Sequence, residues 1–386
     1  MPATRPIEFV DVATTPNQAA VAQSLQKLPE DGRLFNYILT LPEGAPEAVF
    51  DSLSGESHAS LASSLVQLSA LTPDVVLGQL RRNLSSGWRA GAPVAQYGAS
   101  LPASAWPSSK SQPFWAELVG HWQRYGDGNG TAKLKQRMTG LFTGLEVELP
   151  GQARMGGSLG YTRADSAVAA RSASADVDSY SFSLYGGKST AAGAGYLNFS
   201  GGLAVTWHDI ATQRYVPGLN QTLKANYHAN TQQLFAELGY GLGQYQPTGF
   251  EPFANVRIGV QRTSRFQETG GFAALQGERA RDSLSSVTLG IRGHHEFDLS
   301  RKTARVRGMV GWKHAFDDLS MQRGMSFDSS PRFTVTGMPM ARNSLLVGIE
   351  GELELSRSAY LLMGYQGEFG GHDRDHSASL KLRKSF

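Results

Sequence analysis

From Pro113 to the end of the chain, apolar and polar side chains alternate with a period of two residues. The pattern is clearest near the C-terminus, where Leu345 and Val347 fall on one face of a segment and Gly348 and Glu350 fall on the other. This period is typical of a β-strand with one apolar and one polar face. The alternation predicts twelve strands, near residues 113–125, 133–148, 152–164, 178–189, 193–209, 228–243, 249–265, 282–298, 303–316, 343–356, 358–369 and 375–386.

The links between these predicted strands alternate in length. Short links follow even-numbered strands, near 149–152, 187–190, 244–249, 298–302 and 356–357. Long polar links follow the third, fifth, seventh and ninth strands, near 165–177, 210–227, 266–281 and 317–342. A soluble sheet with one solvated face gives no reason for this regularity. A membrane-spanning barrel does, because its two ends face different compartments, and bacterial barrels have even strand numbers. The predicted fold class is an all-β transmembrane barrel of twelve antiparallel strands, preceded by an α-helical segment.

Aromatic residues near the predicted strand ends support this interpretation. Girdles of Trp and Tyr at the membrane surfaces are typical of such barrels, although aromatic residues also favour strands in general. The predicted girdle residues are Trp115, Trp122, Tyr125, Tyr161, Trp207, Tyr240, Trp312, Tyr360, Tyr365 and Phe386.

Residues 1–84 have helical periodicity instead. Thr15-Pro16 and Thr72-Pro73 each provide an N-cap followed by proline at the first helical position, and leucines follow both at helical spacing. The second signal predicts a helix over 73–84. Residues 85–112 are rich in Ser, Pro, Ala and Gly and are predicted to be a connector. The longest uncharged runs are broken by Pro, Gly, Ser and Asn, so no membrane-spanning helix is expected.

Composition excludes several classes of function. The chain carries 36 basic and 33 acidic side chains, and the net charge of +3 gives no electrostatic case for binding nucleic acid. Without cysteine there is no disulfide framework, thiolate metal site or catalytic thiol. The Gly-x-Ser-x-Gly run around Ser158 lies inside a predicted strand, and His372 and His376 lie in a polar loop, so neither predicts a site. We predict no catalytic, cofactor-binding or metal-binding residues. The first residues lack a signal peptide, so we expect either a cytoplasmic protein or part of a larger secreted precursor.

The last sixty residues resemble the C-terminal translocator of monomeric autotransporters (type V secretion). The resemblance extends over roughly 50–386, including the helical stretch 50–65 and the Trp-rich opening strand at 114–132. Its main motifs are GMPMARNSL (337–345), GIEGELELS (348–356), LLMGYQGEFG (361–370) and HDRDHSASLKLRKSF (372–386). The resemblance implies three parts: a helical passenger-proximal junction over 1–84, a connector over 85–112 and the β-barrel over 113–386.

The resemblance also implies a signal for assembly into the outer membrane. In the family, a terminal Phe preceded by apolar residues at alternate positions is recognised by the β-barrel assembly machinery. The matching residues are Ala378, Leu380, Leu382 and Phe386. Lys384 departs from the pattern, because an aromatic or apolar residue is usual there.

A helix inside the barrel lumen is a further implication. A twelve-stranded barrel leaves room for about one helix of ~10–12 Å diameter. Arg81 and Arg82 are the candidate residues on this plug helix. The charges expected on the lumen face are Glu117, Glu350, Glu352, Glu354, Glu368, Lys381 and Arg383. We hypothesise that the two sets pair, while the alternative that both arginines are solvated stays open, as does whether 72–84 or 85–112 fills the lumen.

The function implied by the resemblance is export of an upstream passenger to the surface of a Gram-negative cell. The implied partners are outer-membrane lipid, the assembly machinery, periplasmic chaperones and the passenger, with a monomeric barrel, no nucleic acid and no cofactor. Two alternatives are an outer-membrane channel and a phospholipase-like barrel enzyme, for which His121, His294 and His295 are the polar candidates. The passenger itself is a candidate hydrolase, such as a serine protease. Some members cut themselves at an Asn-Asn pair, but Asn83 stands alone, so we predict no such cleavage.

Overall fold

The computed structural model describes residues 8–42, 45–84, 114–126, 128, 130–151, 153–299, 302–356, 359–371 and 373–384. Within this part of the chain, twelve antiparallel strands form a closed barrel. Each pairs with its neighbour along the chain, and the first strand closes the barrel against the last, from Ala116 opposite Leu382 to Arg124 opposite Arg374. The prediction of a twelve-stranded antiparallel barrel is confirmed.

The barrel strands vary in length. They are β1 (Phe114–Tyr125), β2 (Leu134–Leu149), β3 (Ala153–Val168), β4 (Ala173–Ala192), β5 (Gly195–Val216), β6 (Gln221–Gly241), β7 (Thr248–Thr263), β10 (Ala280–Leu299), β11 (Lys302–Ala315), β14 (Asn343–Ser356), β15 (Ala359–Gly370) and β16 (Asp373–Lys384). The remaining strands, β8 (Phe266–Gln267), β9 (Leu275–Gly277), β12 (Ser320–Phe327) and β13 (Phe333–Pro339), form a separate four-stranded sheet.

The outward face of the barrel is apolar. Leu118, Leu145, Leu159 and Ile349 are each more than half exposed, and their neighbours in sequence point into the lumen. An apolar belt that encircles the molecule is far larger than the exposed patches of soluble proteins. It is therefore the surface that faces lipid.

The predicted aromatic girdle agrees with the structure for some residues and not for others. Trp122, Trp207 and Trp312 are exposed on the outward face, together with Tyr161 and Tyr365. The prediction was wrong for two residues, because Trp115 and Tyr125 occupy lumen-facing positions of β1 and are buried. Odd-numbered residues of this strand point inward, so neither ring can reach the membrane surface.

Two of the predicted long loops are also wrong. The segments 165–177 and 210–227 are mostly strand, because β3–β4 and β5–β6 continue and turn within 169–172 and 217–220. The alternation continues beyond the lipid belt, with polar residues on the outward face, so β3 to β6 extend further than the other strands. We call this side of the barrel the tall wall. The segments 266–281 and 317–342 contain the four-stranded sheet. We call the end that carries this sheet the loop end, and the opposite end the turn end.

Three short helices cover the loop end: α1 (Pro16–Leu25), α2 (Arg33–Leu39) and α3 (Pro46–Leu53). We call residues 8–53 the cap. Its first helix begins as predicted, since Thr15 Oγ1 accepts a hydrogen bond from Gln18 N at 3.2 Å. The Asn17 side-chain amide then binds both the N–H and the C=O of Thr336, at 2.9 and 2.8 Å. Asn17 thereby satisfies the free edge of β13 and fixes the cap on the sheet.

One long helix, α4 (Glu56–Leu84), runs through the lumen. Its 29 residues extend about 43 Å, comparable to the full thickness of a bilayer. It is the only helix in the described ranges long and apolar enough to cross a membrane, and 78% of its most apolar stretch is buried inside the protein. The expectation of no such helix was wrong, since this one crosses within the barrel. It also extends the plug predicted over 73–84 by seventeen residues on the N-terminal side.

Pro73 lies inside this helix rather than at its start. Proline has no N–H to donate to the carbonyl four residues earlier, which here belongs to Ser69. Gln233 on β6 supplies the missing donor, with Nε2 at 2.9 Å from Ser69 O. The next carbonyl, Ala70 O, accepts from Arg257 Nη1 at 3.3 Å. The barrel wall therefore supplies the donor that proline lacks, and the helix continues through Pro73. For this reason the helix does not begin at Thr72-Pro73, where the sequence pattern predicted its start.

Candidate functional site: the helix in the barrel lumen

The loop-end half of α4 is rich in Ser and Ala, so the four-stranded sheet can approach its backbone closely. Gly337 on β13 shows how close this approach is, because a Cβ atom there would lie 2.4 Å from the carbonyl carbon of Ala59. Ser60 Oγ accepts from Met338 N at 3.0 Å, and Ser63 Oγ donates to Met338 O at 3.1 Å. Small side chains thus set the packing distance of the helix.

A buried charge cluster fixes the start of α4 at the loop end. Glu268 accepts two hydrogen bonds from Arg214, both 2.7 Å long, and its Oε1 lies 3.0 Å from His58 Nε2. Burial by itself would raise the pKa of the Glu268 carboxyl, but the Arg214 charge and the hydrogen bonds from His58 and Arg214 lower the pKa to about 2. Glu268 is therefore ionised at neutral pH and links a loop strand to the lumen helix.

Uncharged polar contacts hold the middle of α4. Ser69 Oγ lies 3.0 Å from His208 Nε2, and Thr72 Oγ1 donates to Ser181 Oγ at 3.0 Å. The other ring nitrogen of His208 contacts Ser179 Oγ at 2.8 Å rather than a carboxylate. This Ser–His pair therefore lacks the acid of a hydrolase triad, and it contributes hydrogen bonds that position the helix.

Ion pairs hold the last turns of α4 at the turn end. Arg82 Nη1 lies 3.2 Å from Glu350 Oε2, and Arg82 Nη2 lies 3.8 Å from Glu117 Oε2. Arg81 Nη1 contacts Glu237 at 3.0 Å, a partner absent from the predicted set. Asn83 Nδ2 donates to Glu146 Oε2.

The other predicted lumen charges stay on the wall. Lys381 binds Glu117 at 3.2 Å and Glu350 at 3.0 Å, while Glu352 pairs with Arg307 at 2.8 Å. Glu368 pairs with Lys313 at 2.7 Å, nearer the loop end. The side chains of Glu354 and Arg383 lie outside the described part of the chain.

The residues of the predicted assembly signal are only partly described. Ala378 and Leu380 are exposed on the outward face of β16. Leu382 is placed by its backbone, opposite Ala116, and Phe386 lies outside the described residues. The connector 85–112 lies outside them as well.

The helix is off-centre in the lumen. It packs against the tall wall of β3–β5, and a cavity of about 300 Å³ separates it from the opposite wall. Long charged side chains cross this gap, among them Arg257, which binds Asp74 of the helix with Nη1 to Oδ2 at 3.2 Å. The wall charges Arg292 and Arg307 also line the cavity.

Sequence reasoning missed Glu146, Glu237, Arg257 and the His58–Glu268–Arg214 cluster. One signal was present, because Glu237 and Arg257 each interrupt an apolar strand at a lumen-facing position. Their partners could not be found in the same way, since an ion pair across the lumen joins residues more than a hundred positions apart.

The histidines considered for a phospholipase-like site do not converge. His121 contacts Asp375 at 3.2 Å inside the lumen, whereas His295 contacts Thr248 at 2.7 Å near the turn end. His294 lies beside the backbone of Gln246. Within the described residues, these contacts do not bring a serine to any of the three.

Residues 114–366 match the model of the autotransporter β-domain family. The chain belongs to the autotransporter family. Three solved autotransporter barrels share its fold. The translocator domain of NalP from Neisseria meningitidis has 16% identity and a TM-score of 0.57, covering 71% of this chain and 88% of its own. The transport unit of AIDA-I from Escherichia coli has 15% identity and a TM-score of 0.51, covering 80% and 98%. The beta domain of the Bordetella autotransporter BrkA has 19% identity and a TM-score of 0.52, covering 71% and 98%.

The family membership gives the barrel a location and an activity. This autotransporter barrel is an outer-membrane translocator of the Gram-negative type, and its activity is export of an attached passenger rather than catalysis. Because such barrels have short periplasmic turns and longer external loops, the loop end is the outer end.

Two relatives match over a longer range. Both are named "Extracellular serine protease" from Serratia marcescens and are 30% identical over 338 residues, which is 86% of this chain. The chain spans only 30% of the length of these relatives.

Proposed function

We propose that this autotransporter exports an N-terminally attached hydrolase of the serine protease class and retains α4 in the pore after export. The observation that carries the proposal is the direction of α4. Its first residue, Glu56, contacts the outer loops through Arg171 at 2.9 Å, and the carbonyl of its last residue, Leu84, accepts from Tyr245 of a periplasmic turn at 3.2 Å. A chain arranged in this way has its N-terminal side outside.

The proposed passenger class rests on the relatives. The two Serratia marcescens proteins are named for an extracellular serine protease, and this chain covers under a third of their length. We assign the passenger activity to sequence beyond the barrel, and we keep 1–84 as the passenger-proximal junction, 85–112 as the connector and 113–386 as the barrel.

The absence of cysteine allows a direct test in cells. Asp31→Cys places a thiol on the exposed cap, and Ala194→Cys places one in the exposed β4–β5 turn. A membrane-impermeant maleimide should label the first variant on intact cells and the second only after the outer membrane is permeabilised. Labelling of Ala194→Cys alone on intact cells would reverse the proposed direction of the chain.

We further propose that the barrel assembly machinery recognises the C-terminal strand through Ala378, Leu380, Leu382 and Phe386, with periplasmic chaperones delivering the chain and lipid solvating it. Outward exposure of Ala378 and Leu380 supports this, because such residues are accessible before lipid covers them. Leu380→Asp should reduce the amount of heat-modifiable barrel in outer membranes, whereas Ser379→Asp on the lumen side serves as the matched control. Equal loss in both variants would attribute the effect to folding rather than recognition.

A further inference from the structure

The outward face of the barrel seam carries opposed positive charges. Arg124 on β1 lies directly across from Arg374 on β16 and from Lys135 on β2. All three side chains are exposed. We call these three residues the seam cations. Like charges at directly opposed positions of an antiparallel pair destabilise that pair.

No carboxylate among the described residues lies within 4.0 Å of a seam cation. The acidic residues of the same region are used elsewhere. Asp375 binds His121 and Gln123 on the lumen side, and Asp373 accepts from a loop backbone N–H. Asp165 stands opposite Arg137, one row closer to the membrane. The seam thus retains a positive charge that the described part of the chain does not neutralise.

The height of the seam cations on the barrel indicates what they meet. Trp122, which is 48% exposed, precedes Arg124 by two residues on the same face, and Leu118 lies further into the belt. At about 3.4 Å per residue, Arg124 lies about 7 Å further along the strand than Trp122, which at a strand tilt of about 40° is roughly 5 Å further from the bilayer centre. Interfacial Trp marks the boundary of the hydrocarbon, so this is the headgroup level of the outer leaflet.

The cations of this sector contrast with the outward positions of β3 to β5. The positions of β3 to β5 in register with Lys135 are the uncharged Ala167, Ser174 and Gln213. The outward positions one or two rows nearer the membrane carry Asp165, Asp176, Asp178 and Asp209. A sector that merely needed polar residues above the lipid would not require cations on three adjacent strands.

We propose that the seam cations bind the phosphate groups of an anionic glycolipid in the outer leaflet and thereby clamp β1 to β16. Arg presents a planar array of donors that matches phosphate oxygens, and Lys contributes a point charge. A phosphate between Arg124 and Arg374 replaces their mutual repulsion by two charge-assisted contacts. The ligand therefore stabilises the seam at which the barrel closes.

The test uses the full chain in phosphatidylcholine vesicles with or without lipid A, which carries two phosphates. Lipid A should raise the unfolding temperature, followed by heat modifiability on gels, by about 2–4 °C. The triple variant Arg124→Gln/Lys135→Gln/Arg374→Gln should lose most of this rise. In phosphatidylcholine alone, the triple variant should be at least as stable as the parent, because the repulsion is gone.

The matched control is Arg262→Gln/Arg281→Gln, another exposed arginine pair at opposed positions, but on β7 and β10 away from the seam. It should keep the lipid A effect. Equal loss in the control, or an undiminished rise in the triple variant, would overturn the site. If inorganic phosphate without lipid A gives the same rise, the lipid assignment is wrong. Should the triple variant fail to fold, Arg374→Gln alone must show a smaller rise than the parent.

Discussion

At the scale of single residues, Arg82 links the lumen helix to two carboxylates of the barrel wall. It reaches Glu350 and Glu117, which in turn share Lys381. The alternation of apolar and polar residues placed Glu350 and Glu117 on the lumen face, because that requires only a period of two. It could not identify Glu237 as the partner of Arg81, since the rotation of the helix is set by packing against β3–β5.

Glu350→Gln should loosen the helix. Losing one charged partner of Arg82 removes about 1–3 kcal/mol, so the fraction of time the pore is open should rise roughly 5- to 150-fold in planar bilayers. Glu368→Gln is the matched control, because Glu368 also faces the lumen but pairs with Lys313. A parent-like record for Glu350→Gln, or equal opening in both variants, would contradict the role of the Arg82 contact.

Pro73 and Gln233 should behave as a coupled pair. Gln233→Leu leaves Ser69 O without its donor, which costs about 1–3 kcal/mol of unfolding free energy. In the Pro73→Ala background the helix supplies its own N–H, so the same substitution should cost much less. Urea unfolding of the four proteins in a double-mutant cycle measures the difference. Additive effects would show that Gln233 does not substitute for the missing N–H.

At the scale of elements, the positions of the strands could be predicted from the sequence. Where the strands end at the loop end could not. All twelve barrel strands occur where the period-two pattern placed them. Above the lipid belt the pattern inverts, because apolar residues such as Val177, Ile210 and Leu223 point inward and polar residues point outward. The segments 165–177 and 210–227 were therefore interpreted as loops. The continuous α4 was missed for a related reason, because its compensation for Pro73 comes from a strand 160 residues away.

The contact between the loop end and the lumen helix should weaken at low pH. The Glu268 carboxyl has a pKa of about 2 in the folded protein, below its ordinary value of 4.5, so its contribution is complete above about pH 4.5 and is lost as the pH falls towards 2. This difference corresponds to roughly 3 kcal/mol. A fluorophore on Asp31→Cys should report a urea midpoint that falls over this range.

Glu268→Gln should remove most of this pH dependence and lower the midpoint at neutral pH. Glu278→Gln provides the comparison, because Glu278 lies in the same loop but is half-exposed and pairs with Arg332 at 2.8 Å. If Glu268→Gln retains the parent's pH profile, the acid sensitivity belongs to another group.

At the scale of the whole molecule, one helix of the chain itself, α4, occupies the lumen of the barrel. Outer contacts at Glu56, middle contacts at Ser69 and Thr72, and inner contacts at Arg81 and Arg82 hold α4 along its whole length. Barrel size and strand number predicted room for one helix, whereas only the structure shows that the helix begins at Glu56 and lies against one wall.

The most direct measurement is planar-bilayer conductance of the refolded full chain compared with a chain that begins at Gln112. We predict low conductance for the full chain, because among the described residues α4 occupies the lumen beside a cavity of about 300 Å³. We predict a large, steady conductance once the helix is removed. Equal and large conductance from both proteins would mean that α4 does not occupy the lumen in the membrane and does not close the pore.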